Sequence, residues 1–428
     1  MIDKTLISNL IYEGREKINK KLIEREELKP AKKYMDYKEV TTISGIRRSG
    51  KTYLMYLLMK HLIDNKVPEE NIFYINFEDE RLIFLETKDL ESIYQTLLEH
   101  STGKGKIYLF LDEIQNISGW EKWIARMYEK NIKFVVSGSN ASLLSSEFST
   151  ALTGRNVLLE MFPFSFKELV KLQIGSIDIE KVKRLTEKRA EIRRMFKDYV
   201  KKGGFPEVVL EDKEDVLHQY YRDILYRDVV TRYNIKRIEA LEKLAFYLLT
   251  NISAHTSFYN LRKTLGININ TIKNYLVYLE RAYLVARVPL FSYSVKKQIY
   301  NPFKIYCIDI GLRNSIAFKF SEEFGKLAEN IAYTELKRRN GEVYYWRGSH
   351  GKEVDFLIKE GLEIKQLIQV CWAIDDDKTK RREITGLVSG METFNLNEGL
   401  ILTDDYEGEE VIGNKKIVYE PLWSWLLT

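Results

Sequence analysis

Eight residues decide the fold predicted for this chain: Gly45-Ile46-Arg47-Arg48-Ser49-Gly50-Lys51-Thr52. They match the pattern G-x-x-x-x-G-K-S/T, a loop whose backbone amides and lysine hold the phosphates of a nucleotide. The β-branched residues 40–43 before the loop predict a strand, and the apolar residues 53–59 after it predict a helix. This order of elements points the helix amides and dipole at phosphate, and it disfavours the alternative of an ordinary glycine-rich turn. The stretch therefore predicts a nucleotide-binding α/β core.

Four residues of the loop have separate predicted roles. Gly45 and Gly50 let the backbone turn tightly and approach the phosphates. Lys51 supplies positive charge, and the hydroxyl of Thr52 is a ligand for Mg²⁺.

The composition indicates a soluble protein of several domains. The chain has 428 residues, of which 45% are apolar, enough for two to four domains. Charged residues make up 30% and there are only seven Gln, a composition typical of thermophiles. No signal peptide and no apolar run of about 18 residues occurs, so we expect a cytoplasmic protein without a membrane partner. Cys307 and Cys371 form no C-x-x-C pair, which argues against a disulfide framework.

The net charge of +5 is concentrated in two segments. Residues 181–202 carry 10 Lys/Arg against 3 Asp/Glu, and residues 254–300 carry 7 against 1. Basic segments on an otherwise acidic chain indicate a polyanion partner, for which DNA is the candidate. For the first segment, a solvated helix face is the open alternative.

A second motif, the acidic pair Asp112-Glu113, follows the loop after another predicted strand. Residues 71–77 predict a strand, 90–100 a helix and 106–111 a third strand, which together indicate a parallel sheet. Asp112 stands at the carboxyl end of the third strand, where it can bind Mg²⁺ through water. Glu113 beside it can polarise the attacking water.

Polar residues after the next strands are candidate sensors of the γ-phosphate. Ser137, Ser139 and Asn140 follow the fourth strand, and we assign Asn140 to the catalytic set while leaving the other two open. Arg155 precedes a fifth apolar strand and is a candidate arginine finger or sensor. A surface charge beside a strand is the alternative for Arg155.

A helix-turn-helix followed by a β-ribbon is predicted between these elements and the C-terminal part. Its helices and strands are predicted at residues 241–251, 257–266, 268–282, 284–291 and 303–308. The third helix has a buried stripe on one side and DNA-binding candidates on the other, which together with the wing lysines are Asn270, Lys273, Asn274, Arg281, Lys296 and Lys297. The alternative is a winged helix that packs on its own nucleotide domain and contacts no DNA.

Six segments resemble archaeal and bacterial AAA+ ATPases that carry an uncharacterised C-terminal half. They are residues 45–52, Asn76-Phe77-Glu78-Asp79, Leu111-Asp112-Glu113-Ile114-Gln115, Leu152-Thr153-Gly154-Arg155, Phe162-Pro163-Phe164-Ser165-Phe166 and Gly203-Gly204-Phe205-Pro206-Glu207. The resemblance spans nearly the whole chain. It implies an ASCE-type P-loop NTPase core, ATP with Mg²⁺ as cofactors, a winged helix and a nuclease-like C-terminal fold. The lack of an N/T-K-x-D element agrees with ATP rather than GTP.

The C-terminal part resembles PD-(D/E)xK nucleases at three positions. Glu329 and Asp355 match the helix and strand carboxylates that hold Mg²⁺ in those enzymes, and Gln369 stands where the glutamate of E-x-K is expected. An amide thus replaces a charged ligand and Cys371 replaces the lysine, so we expect nuclease activity to be absent or weak. Cleavage stays open because another lysine can substitute, the candidates being Lys365, Lys378 and Lys380.

Five parts are predicted: an N-terminal helical arm (1–35), a P-loop ATPase core (36–170), a helical lid (171–238), a winged helix (239–308) and a nuclease-like α/β domain (309–428). The favoured function is Mg²⁺-dependent ATP hydrolysis coupled to conformational change on nucleic acid. The alternative is an ATP-dependent regulatory or assembly switch that acts on a protein partner without DNA. A homo-oligomer is an open possibility for either function.

Overall fold

The computed structural model describes residues 3–19, 22–139, 152, 154–317, 324–372 and 374–428. The chain forms two compact units, residues 1–161 and 162–428. Within the described ranges, no helix is long and apolar enough to cross a membrane. The five predicted parts are finer than this division and stay a prediction.

The first unit is an α/β layer structure, as predicted. Its strands are β1 Val40–Gly45, β2 Ile72–Asn76, β3 Ile107–Asp112, β4 Ile132–Gly138 and β5 Asn156–Met161. Its helices are α1 Lys4–Glu16, α2 Leu28–Tyr34, α3 Lys51–Asp64, α4 Asp89–Glu99 and α5 Trp120–Met127. The strands form one parallel sheet in the order β2-β3-β4-β1-β5.

Strands β1, β3 and β4 are buried over almost their whole length, as expected for a parallel sheet that helices cover on both faces. One side packs against α3, whose Leu54, Met55 and Leu58 are buried. The other side packs against α4 and α5, and α1 adds Ile7 and Ile11 to the same core. Parallel strands bring their carboxyl ends to one edge, which places the candidate residues of β1, β3 and β4 together.

The second unit begins with helices that fit the predicted helical region. They are α6 Phe166–Ile174, α7 Ile179–Arg184, α8 Thr186–Lys202, α9 Pro206–Glu211 and α10 Val216–Asp223, followed by a π-helix at Ile224–Thr231. Arg193 of α8 pairs with Asp404 and Asp405, and Arg189 also pairs with Asp405. Arg189 and Arg193 of the first basic segment are therefore paired with carboxylates of the protein itself. This pairing weakens the prediction that the segment binds a polyanion.

The region predicted as a helix-turn-helix and ribbon contains helices and strands close to the predicted positions, with one additional short helix. The elements are α11 Ile238–Thr250, β6 His255–Thr256, α12 Phe258–Leu265, α13 Ile269–Arg281, β7 Val285–Pro289, α14 Val295–Tyr300 and β8 Phe303–Cys307. Ser257 and Asn268 cap α12 and α13, and Gly266 ends α12. The strands form an antiparallel sheet in the order β6-β8-β7. Lys296 and Lys297 lie on α14, a short helix between the two predicted strands of the wing.

The C-terminal part is a mixed sheet with helices. Its elements are α15 Ile310–Ile316, α16 Phe324–Arg338, β9 Glu342–Arg347, β10 Glu353–Glu360, β11 Glu363–Val370, α17 Asp377–Thr393, β12 Glu398–Thr403, β13 Gly408–Ile412, β14 Lys415–Pro421 and α18 Leu422–Trp425. The strand order is β13-β14-β12-β11-β10-β9. Its core contains Leu357 and Leu367 from neighbouring strands and Leu387 from α17.

Candidate nucleotide-binding site

The phosphate loop joins β1 to α3 in the geometry that the motif predicts. A Cβ atom on Gly45 would lie 2.0 Å from the carbonyl oxygen of Met161 on β5, so only glycine fits there. Gly50 has φ +102°, a conformation that residues with a side chain rarely adopt, and it precedes the first residue of α3. The amino end of α3 thus opens directly onto the loop, as anion binding requires.

Two polar groups of the loop fit a phosphate ligand. The Lys51 ammonium is buried and donates to the carbonyl oxygens of Gly45 at 3.0 Å and Ile46 at 3.1 Å. The buried hydroxyl of Ser49 has no hydrogen-bond partner among the residues that the structure describes. A buried hydroxyl without a partner is costly, and phosphate oxygens are strong acceptors. The loop residues therefore fit the phosphates of a nucleotide.

Asp112 is held at the end of β3 by three hydroxyl groups. Thr52 Oγ1 donates to Asp112 Oδ2 at 2.7 Å, and the Tyr74 hydroxyl donates to the same oxygen at 2.8 Å. The Ser137 hydroxyl donates to the other oxygen. Burial and the neighbouring charge of Glu113 raise the pKa of Asp112. The predicted Mg²⁺ ligands, Thr52 and Asp112, are therefore in direct contact, and an ion bound there would offset this burial of negative charge.

Glu113 is positioned for proton chemistry beside the loop. Its backbone has φ +52°, which is uncommon for a residue with a side chain and marks a constrained position. The backbone N–H of Ser139 donates to Glu113 Oε2 at 3.3 Å, and Lys51 Nζ lies 3.9 Å from Glu113 Oε1. Burial alone would raise the pKa of Glu113, but Lys51 and Arg47 lower it. The carboxylate is therefore kept ionised, as a group that polarises water must be.

Two residues at this site were missed by sequence reasoning. Arg25 is buried and its guanidinium donates to the carbonyl oxygen of Ser49 in the loop at 2.8 Å. Tyr74 orients Asp112 from the neighbouring strand β2. No local motif marks either position, because each contact depends on chain segments that are distant in sequence from the loop.

Replacing Arg25 with Met should weaken nucleotide binding about tenfold or more. A hydrogen bond from a charged donor contributes about 1.5–3 kcal/mol, and this one holds the loop backbone at Ser49. Fluorescence titration with a nucleotide analogue measures the effect. Arg81→Met is the control, since the Arg81 guanidinium pairs with Glu13 and Asp79 rather than with a residue of the loop. Equal affinities in wild type and Arg25→Met would contradict the assignment.

The structure does not bring Arg155 to its own nucleotide site. The carbonyl of Arg155 accepts from the backbone N–H of Val40, at the amino end of β1, whereas the loop follows the carboxyl end. The two ends are separated by about 16 Å of strand. The Arg155 guanidinium instead lies over the ring of Tyr128. The prediction of a role at the γ-phosphate within the same subunit is therefore corrected, and an action on a second copy stays a prediction.

The other sensor candidates have mixed outcomes. Ser137 and Ser139 are both at the site, where they contact Asp112 and Glu113. Asn140, which we assigned to the catalytic set, lies outside the described residues. The structure thus places serines beside the acidic pair.

The predicted DNA-binding residues lie on two helices, α13 and α14. Ile272, Leu276 and Leu279 of α13 are buried, which confirms the predicted apolar stripe. The candidate residues are exposed except for the half-buried Arg281, and they are Asn270, Lys273, Asn274, Arg281, Lys296 and Lys297.

The predicted second metal site is occupied by a lysine side chain. Lys304 Nζ lies 3.0 Å from Glu329 Oε1 and 2.8 Å from Asp355 Oδ1. Gln369 Oε1 accepts from the backbone N–H of Asp355 at 3.0 Å, so its oxygen is already engaged. Among the described residues, no group of three or more His, Cys, Asp or Glu is arranged to hold a metal ion. The assignment of Glu329, Asp355 and Gln369 as joint metal ligands is therefore corrected.

Comparison with known proteins agrees with the nucleotide site. The family described as an AAA domain matches residues 37–170, and two families described as domains of unknown function, DUF8612 and DUF4143, match residues 193–323 and 324–422. An uncharacterised protein of Methanocaldococcus jannaschii is 34% identical over 409 residues, which are 91% of this chain and 88% of the relative. An uncharacterised protein of Haemophilus influenzae is 29% identical over 421 residues, which are 96% of this chain and 100% of the relative.

Among solved structures, a DNA polymerase III gamma subunit-related protein of Thermotoga maritima covers 60% of this chain and 100% of its own. Its identity is 13% and its TM-score is 0.27, which is too low to support an argument. The AAA domain contains the whole phosphate loop and the acidic pair, and it supports an ATPase-type, nucleotide-binding function. The long match at 34% identity extends over both units, and so the chain belongs to the same family as the uncharacterised Methanocaldococcus jannaschii protein.

Proposed function

We propose that this protein hydrolyses ATP in a Mg²⁺-dependent reaction and couples the nucleotide state to a conformational change on DNA. The proposal of hydrolysis is supported by one arrangement of four side chains. Thr52 Oγ1 lies 2.7 Å from Asp112 Oδ2, and Lys51 Nζ lies 3.9 Å from Glu113 Oε1 beside the same loop. Phosphate, metal and water each have a matching protein group in this arrangement.

Each residue would contribute one part of the reaction. The amides at the start of α3 and the Lys51 ammonium would bind phosphate oxygens, and Lys51 would exchange its loop carbonyl partners for them. Thr52 and Asp112 would hold Mg²⁺, which supplies positive charge at the phosphates. Glu113 would accept a proton from the attacking water.

The coupling to DNA rests on the exposed face of the helix-turn-helix. Residues 254–300 carry 7 Lys/Arg against 1 acidic residue, and Lys273 and Asn274 project from α13 opposite its buried stripe. Lysine contacts phosphate, and asparagine can bond adenine in the major groove. Because ion pairs occupy cations of the first basic segment, this face is the better candidate of the two.

Measurement of the ATPase rate with and without double- and single-stranded DNA tests the coupling. Stimulation or inhibition by DNA would support it. An ATPase that is indifferent to DNA, in a protein that shows no DNA retention at low salt, would favour the second candidate, an ATP-dependent switch on a protein partner. The exposed Tyr293, just before α14, and Tyr300, its last residue, fit such a partner, since exposed aromatic side chains are common at protein interfaces.

Replacing both Lys273 and Arg281 with Ala should weaken DNA binding and flatten its salt dependence. Each lost phosphate contact should reduce the slope of log affinity against log salt by about 0.9 for duplex DNA. Binding isotherms at several salt concentrations measure this slope. Lys243→Ala on α11, an exposed lysine paired with Glu239, is the control and should leave the slope unchanged. A double variant with the wild-type slope would remove these two residues from the interface.

A further inference from the structure

Lys304 is the centre of a buried charge cluster that joins two parts of the second unit. It lies on β8 between His255 of β6 and Val288 of β7, and its side chain is only 4% exposed. Its ammonium lies 3.0 Å from Glu329 Oε1, 3.0 Å from Glu353 Oε1 and 2.8 Å from Asp355 Oδ1. One strand of the helix-turn-helix ribbon therefore delivers a cation to carboxylates of α16 and β10.

Neighbouring contacts hold the same strand against α16. The Tyr306 hydroxyl, two residues along β8 on the same face, donates to Glu329 Oε1 at 2.7 Å. The ring of Tyr306 stacks on Tyr333 of α16 with centroids 4.4 Å apart. The side chain of Asn330 bonds both the N–H and the carbonyl of Cys307 at 2.8 Å. These contacts fix strand β8, and with it the backbone of Lys304, against α16.

The remaining polar groups around Asp355 are already engaged. Asp355 Oδ2 accepts from the backbone N–H of Val370 at 3.0 Å, and the Gln369 amide donates to Glu383. Burial raises the pKa of Glu329 to about 7, while Lys304 opposes that shift. Without a cation, this cluster would bury negative charge at a high cost.

We propose that Lys304 is the built-in cation of this cluster, and that its ammonium takes the place that a divalent metal ion would need. A tethered ammonium competes with free Mg²⁺ at a high effective concentration and requires no dehydration of the metal ion. The C-terminal α/β part is then a metal-independent partner of the ribbon sheet. Lys304 is the lysine that pairs with the carboxylates of Glu329 and Asp355. Of the lysines proposed from the sequence, Lys365 pairs with Glu363 and Lys380 lies near Glu410 instead.

Titration of the nucleotide-free protein with Mn²⁺, followed by electron paramagnetic resonance of the free ion, tests the proposal. Wild type and Asp355→Asn should bind the same number of ions. Lys304→Met should gain one Mn²⁺ site, and the double variant Lys304→Met/Asp355→Asn should lose it again. Lys359→Met, which removes a half-buried lysine of β10 that pairs with Glu342, is the matched control and should gain no site. A wild-type site that disappears in Asp355→Asn, or no gain in Lys304→Met, would overturn the proposal.

A second measurement covers the case in which Lys304→Met is too unstable for titration. Its melting temperature should then be partly restored by adding Asp355→Asn, because that change removes an unpaired buried charge. A further fall in melting temperature in the double variant would contradict the role of Lys304 as counter-cation.

Incubation of wild type with Mg²⁺ or Mn²⁺ and linear, supercoiled or branched DNA should give no cleavage. Cleavage that vanishes in Asp355→Asn would also overturn the proposal, whatever the outcome for ATP hydrolysis.

Discussion

Replacing Glu113 with Gln should lower the ATP turnover rate by about 10²–10⁴-fold, the usual contribution of a general base. Gln keeps the size of the side chain and its hydrogen bond from the Ser139 backbone N–H, but it cannot accept the proton of the attacking water. The phosphate loop and the Thr52–Asp112 contact are unchanged by this substitution. ATP should therefore stay bound while its hydrolysis stops.

The matched variant Lys51→Ala should behave differently. Lys51 is the cation of the loop, so its loss should weaken nucleotide binding itself rather than only the chemical step. Equilibrium binding of a fluorescent ATP analogue and single-turnover hydrolysis separate the two effects. Wild-type turnover in Glu113→Gln would remove Glu113 from its proposed role, even if Lys51→Ala still weakened binding.

The nucleotide site was predictable because its signals are local in sequence. The loop, its flanking strand and helix, and the Asp112–Glu113 pair each lie within a short segment, and parallel strands bring their carboxyl ends together. The same rule explains the error at Arg155. That residue stands before its strand, so the parallel sheet carries it to the opposite edge.

The charge cluster at Lys304 was not predictable by the same means. Its lysine, Glu329 and Asp355 come from three elements, and the strand pattern of β8 gives no sign that a lysine points into a buried site. The nuclease-like resemblance pointed to both carboxylates, but its candidate lysines, Lys365, Lys378 and Lys380, did not include Lys304. The first basic segment posed a similar problem, because its partners Asp404 and Asp405 are more than two hundred positions away.

The segments around Phe164 and Gly204, two of the six that resemble the AAA+ family, contact each other directly. The backbone N–H of Phe164 donates to the carbonyl of Gly204 at 2.7 Å, and the N–H of Gly204 donates to Asp309 Oδ2 at 2.7 Å. Asp309 also caps α15 by accepting from the N–H of Leu312 at 2.9 Å. Three chain segments of the second unit therefore meet at Gly204.

Replacing Gly204 with Ala should destabilise the second unit by at least the roughly 1–3 kcal/mol typical of overpacking. The new Cβ would lie 2.1 Å from the carbonyl oxygen of Phe164, and a backbone atom cannot rotate away as a side chain can. Relief of the clash would stretch the bonds to Phe164 and Asp309, leaving a buried carboxylate with fewer donors.

Urea denaturation of the full chain measures this change in the free energy of unfolding. Gly325→Ala is the matched control, because a Cβ there would meet no atom of the described residues within 4 Å and α16 begins at the preceding residue. Alanine in a helix is more favourable than glycine by about 1 kcal/mol, so the control should be neutral or slightly stabilised. If Gly204→Ala unfolds at the same urea concentration as the control, the close approach at Phe164 is not a constraint on the fold.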